Sequence, residues 1–144
     1  MRTMRWISMT AALGLALLTA ACGGGDSGGP SGGLAGEWQL VRVNEDGLPE
    51  NEEYPWGTAG FTDGGLSLCA DGCWEMWIEY DKVELGETWV LEDNGGFEVS
   101  GNQMLFSSEH YGDQFEAVRN GNSITLTYDF DGDGYYETDF TFTR

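Results

Sequence analysis

Positive charge is the scarcest feature of this chain: 6 Lys and Arg stand against 25 Asp and Glu, a formal net charge of −19 over 144 residues. Arg2 and Arg5 lie within the first 21 residues, so the rest has four cations for all 25 acids, a formal −21. A surface of that sign argues against nucleic acid and against an anionic membrane face as partners, because both need a basic footprint. Histidine is nearly missing as well. His110 is the single one, beside Tyr111-Gly112-Asp113 in an expected surface turn, so a Ser-His-Asp or Cys-His centre would have to be built on that loop. There is no phosphate loop and no zinc signature. Paired carboxylates could serve a hydrolase, but with so many acids some pair always falls at a suitable spacing, and the pattern selects nothing. The expectation is a protein without catalysis.

Long apolar runs are also rare. The one candidate, Trp6 to Ala21, is interrupted by Ser8, Thr10 and Thr19 and falls short of the roughly 20 consecutive apolar residues that a transmembrane helix wants. With Arg2 and Arg5 before it and small residues after it, this stretch has the three parts of an export signal. The segment LLTAAC at 17–22 resembles the lipobox of bacterial lipoprotein precursors: Ala20, Ala21 and Cys22 match, while Thr19 stands where that family usually has Leu. The resemblance implies a cleaved signal at 1–21 and lipid on Cys22. It further implies a bilayer as partner through that anchor, and an exported protein held at the outer face of a bacterial membrane. Ordinary cleavage after Ala20 or Ala21, leaving a free thiol, is the alternative. Residues 23–33, GGGDSGGPSGG, contain seven glycines and no apolar side chain beyond Pro30, so 22–33 reads as a tether. As a random coil it would span about 18 Å, from 5–6 Å times the square root of its length.

Cysteine is equally sparse. With Cys22 taken by lipid, Cys69 and Cys73 remain, and an even remainder outside the cytoplasm is normally paired. They flank Ala70-Asp71-Gly72, a three-residue hairpin loop with Asp-Gly near its end, and facing hairpin positions are close enough for a disulfide. A Cys-x3-Cys metal half-site is the other reading, and it lacks partner ligands.

What the chain has in plenty is glycine in turn contexts. Asp46-Gly47, Asp71-Gly72, Asn94-Gly95-Gly96, Gly101-Asn102, Gly112-Asp113, Asn120-Gly121-Asn122 and Asp131-Gly132-Asp133-Gly134 punctuate runs in which apolar and polar residues alternate. Those runs predict strands near 37–43, 64–69, 73–80, 87–93, 96–100, 103–108, 113–119, 123–130 and 135–143, with 44–62 as one long irregular stretch and no sustained helical period after Gly36. Eight or nine short strands in the single domain 34–144 make an up-and-down antiparallel meander. Such a meander disposes of its edges most economically by closing into a barrel.

Several blocks then carry a resemblance. Gly36-Glu37-Trp38 opening a first strand, Gly47-Leu48-Pro49 after it, Asp71-Gly72-x-Trp74, Trp89, Val99-Ser100-Gly101-Asn102, Gly121-Asn122-Ser123-Ile124 and the closing Phe142-Thr143-Arg144 resemble bacterial lipocalin-like domains, in order, along nearly all of 34–144. The resemblance implies an all-β, lipocalin-like barrel and a cup for a small apolar ligand. Strand parity would place Trp38, Trp74, Met76, Ile78 and Phe106 on its wall. The alternative is a structural or interaction module of the envelope, with aromatic residues simply filling the interior.

Asp129, Asp131 and Asp133 alternate and are followed by Gly134, similar to the first half of an EF-hand calcium loop. Glu137 occupies the ninth position, and Phe140 stands at the twelfth, where that loop has its bidentate Glu. A weak calcium site and a plain solvated hairpin both remain open.

Overall fold

A computed structural model of the chain describes residues 33–144; the expected signal, Cys22 and nearly all of the tether lie outside the described residues. The fold is all-β, an eight-stranded antiparallel barrel with two short extra strands, as the meander predicts. Ten strands follow in order: β1 (Gly36–Val43), β2 (Asp46–Gly47), β3 (Glu50–Tyr54), β4 (Gly57–Leu68), β5 (Cys73–Lys82), β6 (Glu87–Ser100), β7 (Gln103–Ser108), β8 (Gln114–Asn120), β9 (Ser123–Tyr128) and β10 (Thr138–Thr143). From β4 to β10 every strand pairs with the next, and β1 closes the ring by pairing with β10 on one side and β4 on the other. Closure removes every edge among these eight, so none of them presents a row of unpaired N–H and C=O groups to another sheet.

Alternation explains the strands. Along β5, Trp74, Met76, Ile78 and Tyr80 are buried, whereas Glu75 and Trp77 face out; β7, β9 and β10 repeat the pattern with Met104 and Phe106, Ile124 and Leu126, Phe140 and Phe142. A barrel interior of bulky inward side chains is the physical reason for that spacing. Closure also needs curvature. The register shifts at Val41, between Leu40 and Arg42, and at Thr62, between Phe61 and Asp63, bulges of the kind that bend and twist a strand where a sheet must turn back on itself.

Three expectations are corrected. The segment 44–62 is not irregular: β2 folds back on β1, β3 pairs with β4, and β4 already begins at Gly57. Asn94-Gly95-Gly96 is not a turn, and the strands expected at 87–93 and 96–100 are the single strand β6. Gly95 is there for close approach. A Cβ on it would lie 1.8 Å from the Ser107 carbonyl oxygen, so β6 can pass between Trp74 on β5 and Ser108 on β7, both its register partners, only with no side chain. Finally, β9 ends at Tyr128 and β10 starts at Thr138, because the aspartates between them take up backbone N–H groups that a longer ladder would use.

The strand directions give the barrel two ends. The near end holds Gly33, Arg144 and the short turns 69–72, 101–102 and 121–122; the far end holds the connections 44–56, 83–86, 109–113 and 129–137.

Candidate functional site

The far end is where the predicted cation ligands sit. Leaving β9, the chain runs through Asp129, Phe130 and Asp131 into Gly132, Asp133 and Gly134, the two glycines at φ +75° and +95°. That left-handed backbone, cheap only for glycine, curls what would be an extended strand. Asp129 then accepts hydrogen bonds from the Gly132 and Gly134 N–H groups at 2.9 and 3.0 Å; Asp131 accepts from Asp133 N–H at 3.2 Å and Asp133 from Tyr135 N–H at 2.8 Å. As a result, one carboxylate oxygen from each of Asp129, Asp131 and Asp133 lies within 4.8 Å of the others. Extended chain would have left them some 6–7 Å apart. Glu137, the fourth predicted ligand, is exposed and is not part of this trio. Burial raises the Asp131 carboxyl above its ordinary pKa, and its neighbours Asp133 and Asp129 add to the rise; a cation there would pull it back down by favouring the charged form.

Phe130, between two of these aspartates, points the other way. It is 1% exposed and its ring meets Tyr54 at 5.0 Å, Phe61 at 4.9 Å, Tyr80 at 4.9 Å and Trp56 at 6.3 Å between centroids. The hairpin is thereby anchored in the core. The Tyr54 hydroxyl shares a 2.8 Å hydrogen bond with Thr138 at the foot of β10, and burial foremost, with Glu52, Asp131 and Glu137 adding, keeps that phenol protonated.

Beneath the far-end loops lies a group that parity could have revealed but charge concealed: Asp93, two residues from buried Leu91 on the inward face of β6. Its carboxylate accepts hydrogen bonds from Ser108 Oγ at 2.7 Å, Tyr128 OH at 2.8 Å and the Asn94 N–H at 2.8 Å. Burial still outweighs them and holds the Asp93 carboxyl above the ordinary value of 3.8. The arrangement joins β6, β7 and β9 through one satisfied acid. His110 is exposed on the adjoining loop, edge-on to Tyr111 at 4.5 Å.

The five residues expected to line a cup, Trp38, Trp74, Met76, Ile78 and Phe106, all face the interior, none more than 2% exposed. There they meet other side chains. Trp74 contacts Phe106 at 5.4 Å and Phe115 at 5.5 Å; Phe115 meets Tyr128 at 5.1 Å, Tyr128 meets Phe140, and Phe140 meets Phe130, each at 6.1 Å. With Phe130 on Trp56, ring contacts run unbroken through the barrel in the usual edge and offset geometries. On the outer wall, a shallow cleft of about 240 Å³ beside Glu98, Leu105 and Gln114 is smaller than ordinary ligand pockets of roughly 300–1,000 Å³.

At the near end, Cys69 and Cys73 form the expected disulfide, with Cα atoms 5.1 Å apart, across a loop closed by Cys69 N–H donating to Cys73 O at 2.9 Å. That pairing uses both sulfurs, so the metal half-site reading falls. No known protein family, curated protein or solved structure matches the chain.

Proposed function

We propose that this chain is a non-catalytic interaction domain of a bacterial cell envelope, tethered by lipid on Cys22 and filled by its own side chains. The observation that carries this reading is the continuous line of rings from Trp74 to Trp56. A guest in the barrel would have to displace several of them, each worth roughly 1.5–3 kcal/mol in burial. That cost favours the filled module over a lipocalin-like carrier of a small apolar molecule. Native mass spectrometry of protein taken from its own membrane should give the mass of the lipidated chain alone. Fatty acids, isoprenoids and haem-like compounds should leave tryptophan emission unchanged. A saturable emission shift with a matching mass adduct would assign the carrier function instead. The anchor has its own test: Cys22→Ala should move the protein to the soluble fraction, and a signal-free variant that stays with the membrane would remove lipidation from the proposal.

A weak calcium site at Asp129, Asp131 and Asp133 is favoured by one specific observation, the convergence of their oxygens within 4.8 Å. Glu137, the Tyr135 carbonyl or water would complete it, and without a bidentate twelfth ligand the affinity should be roughly 10⁻⁴–10⁻³ M. At ten times the dissociation constant such binding stabilises the fold by about 1.4 kcal/mol. Millimolar calcium should therefore raise the melting temperature beyond what magnesium or sodium chloride does at equal ionic strength. An equal rise with all three salts, or a calcium response that survives Asp131→Asn with Asp133→Asn, makes these residues a turn and nothing more.

A further inference from the structure

The far end also collects exposed apolar surface. Leu85 is 64% exposed, Tyr135 71% and Trp56 39%, and they stand on three loops that touch. The β5–β6 turn is bonded to the start of β4 through Val83 N–H to Thr58 O at 3.1 Å and through Glu84, which accepts from Thr58 N–H and Oγ. Trp56, just before β4, stacks on Tyr54 at 5.4 Å and 5° and rests on Phe130 at the base of the aspartate hairpin. Around these side chains stand carboxylates. Glu84 is held at Thr58, the carboxylate oxygens of Asp129, Asp131 and Asp133 lie within 4.8 Å of one another, and Glu137 is exposed on the same loop, so acids from the 83–86 and 129–137 loops flank this surface. The near end differs: each end has two of the cations among the described residues, Arg42 and Lys82 at the far end and Arg119 and Arg144 at the near end, but the near-end turns 69–72, 101–102 and 121–122 carry Asp71 as their one acid.

We propose that this far end is the docking surface for a cationic polypeptide segment with apolar residues between its charges. Charge complementarity joined to exposed rings selects that partner. A second copy of the chain, an anionic lipid face and a nucleic acid would each bring like charge to this patch, and an uncharged apolar partner would have to strip water from Glu52, Asp133 and Glu137 with nothing in return. An ammonium or guanidinium group meets both features, since it pairs with carboxylates and rests on aromatic faces. The chain already does this to itself: the Lys82 ammonium lies 4.0 Å from the Trp89 ring centre and 5.1 Å from that of Trp56, which also stacks on Tyr54, so the ring left open to an incoming cation is that of Tyr135, 71% exposed, while Trp56 adds apolar surface. The proposal rests on the interaction-domain reading, which supplies the orientation: a tether at Gly33 presents the opposite end of the barrel outward.

The test uses the mature protein and three fluorescently labelled twelve-residue peptides, alternating Lys-Leu, Lys-Gly and Glu-Leu, followed by anisotropy near physiological salt. Lys-Leu should bind saturably, Lys-Gly at least tenfold more weakly, and Glu-Leu not at all. Trp56→Ala with Tyr135→Ala should weaken Lys-Leu binding at least tenfold. Trp77→Ala, equally exposed but on the outer wall of β5, should change it less than twofold. If the double variant melts early, Leu85→Ser alone carries the comparison, with a severalfold loss expected. Equal affinity for Lys-Leu and Lys-Gly would reduce the patch to bulk charge and overturn the proposal. So would an equal effect of Trp77→Ala, binding of Glu-Leu, or concentration-dependent dimerisation abolished by Trp56→Ala. Absence of any peptide binding also overturns it, yet leaves the filled-core reading to be judged by the native mass.

Discussion

At the near end of the barrel the strands turn back through 69–72, 101–102 and 121–122, whereas at the far end they are joined by stretches as long as 44–56 and 129–137. Short hairpins leave few backbone groups to satisfy, so the near end can be sealed with apolar material. Trp38 donates its indole N–H to Leu34 O at 3.0 Å, and the Arg144 guanidinium lies 4.4 Å over its ring. Long loops carry polar backbone into partly buried positions and must supply their own partners. Accordingly Ser108, Asp129 and Thr138, and the Asp93 carboxylate that Ser108 and Tyr128 hold, all lie at or just below the far-end loops. One end is closed by packing, and the other is organised by hydrogen bonds to carboxylates.

The largest expected effect separates the two ends by a matched pair of core truncations. Trp38→Ala and Phe130→Ala should each cost about 3–5 kcal/mol in urea unfolding. Limited proteolysis below the transition should then tell them apart. Phe130→Ala should expose cleavage within 129–137, because it removes the ring that fastens that hairpin, while Trp38→Ala should leave the hairpin protected. Equal cleavage in both variants would break the contrast.

Next comes the disulfide. Cys69→Ser with Cys73→Ser should cost about 2 kcal/mol or less, since the loop it closes is so short. It should leave the far end, including any calcium response, as it was. A non-reducing peptide map should show the link.

Arg144→Ala should cost about 1 kcal/mol, the size of one partly exposed cation–π contact, and should shift the emission of Trp38 without moving the response of the far end.

The smallest effect is a trend with pH. A carboxyl whose folded pKa is raised, as burial raises Asp93, favours the folded state fully only below its ordinary pKa. That contribution is lost as pH rises through the folded value. The stability of the native chain relative to Asp93→Asn should therefore fall from about pH 4 upward and then level off. A difference that stays constant across that range would mean that Asp93 does not titrate as its burial requires.

How much of this was legible in the sequence depended on which force set each residue. Where burial alone decides, as in β5 with Trp74, Met76, Ile78 and Tyr80, period-two alternation located the strand to within two residues of its bounds. The disulfide was legible because Cys69 and Cys73 face each other across a three-residue hairpin loop. Asn94-Gly95-Gly96 misled because turn glycines and close-approach glycines are the same letters; only the Ser107 carbonyl against Gly95 tells them apart. The start of β4 was hidden for a similar reason, its glycines at 57, 60, 64 and 65 weakening the apolar pattern. Asp93 was missed at the site because an acid on an inward position reads as a surface residue until Ser108 and Tyr128 are seen to meet it. The convergence of the three aspartates lay in the spacing, but whether the loop curls depended on φ at Gly132 and Gly134.

Arg144 also donates hydrogen bonds to the carbonyls of Ala35 and Gly33, so the two extremities of the described chain lie side by side. A few flexible residues would join 144 to 33, and the ring could be reopened at a loop between consecutive strands, such as 109–113, as circular permutants commonly are. Such a rearranged chain would keep every strand pair of the barrel while moving its termini to the opposite pole. Anything fused to those new termini would then stand beside the acidic, aromatic pole. In the natural order, any segment fused after Arg144 emerges beside Gly33 and leaves that pole uncovered.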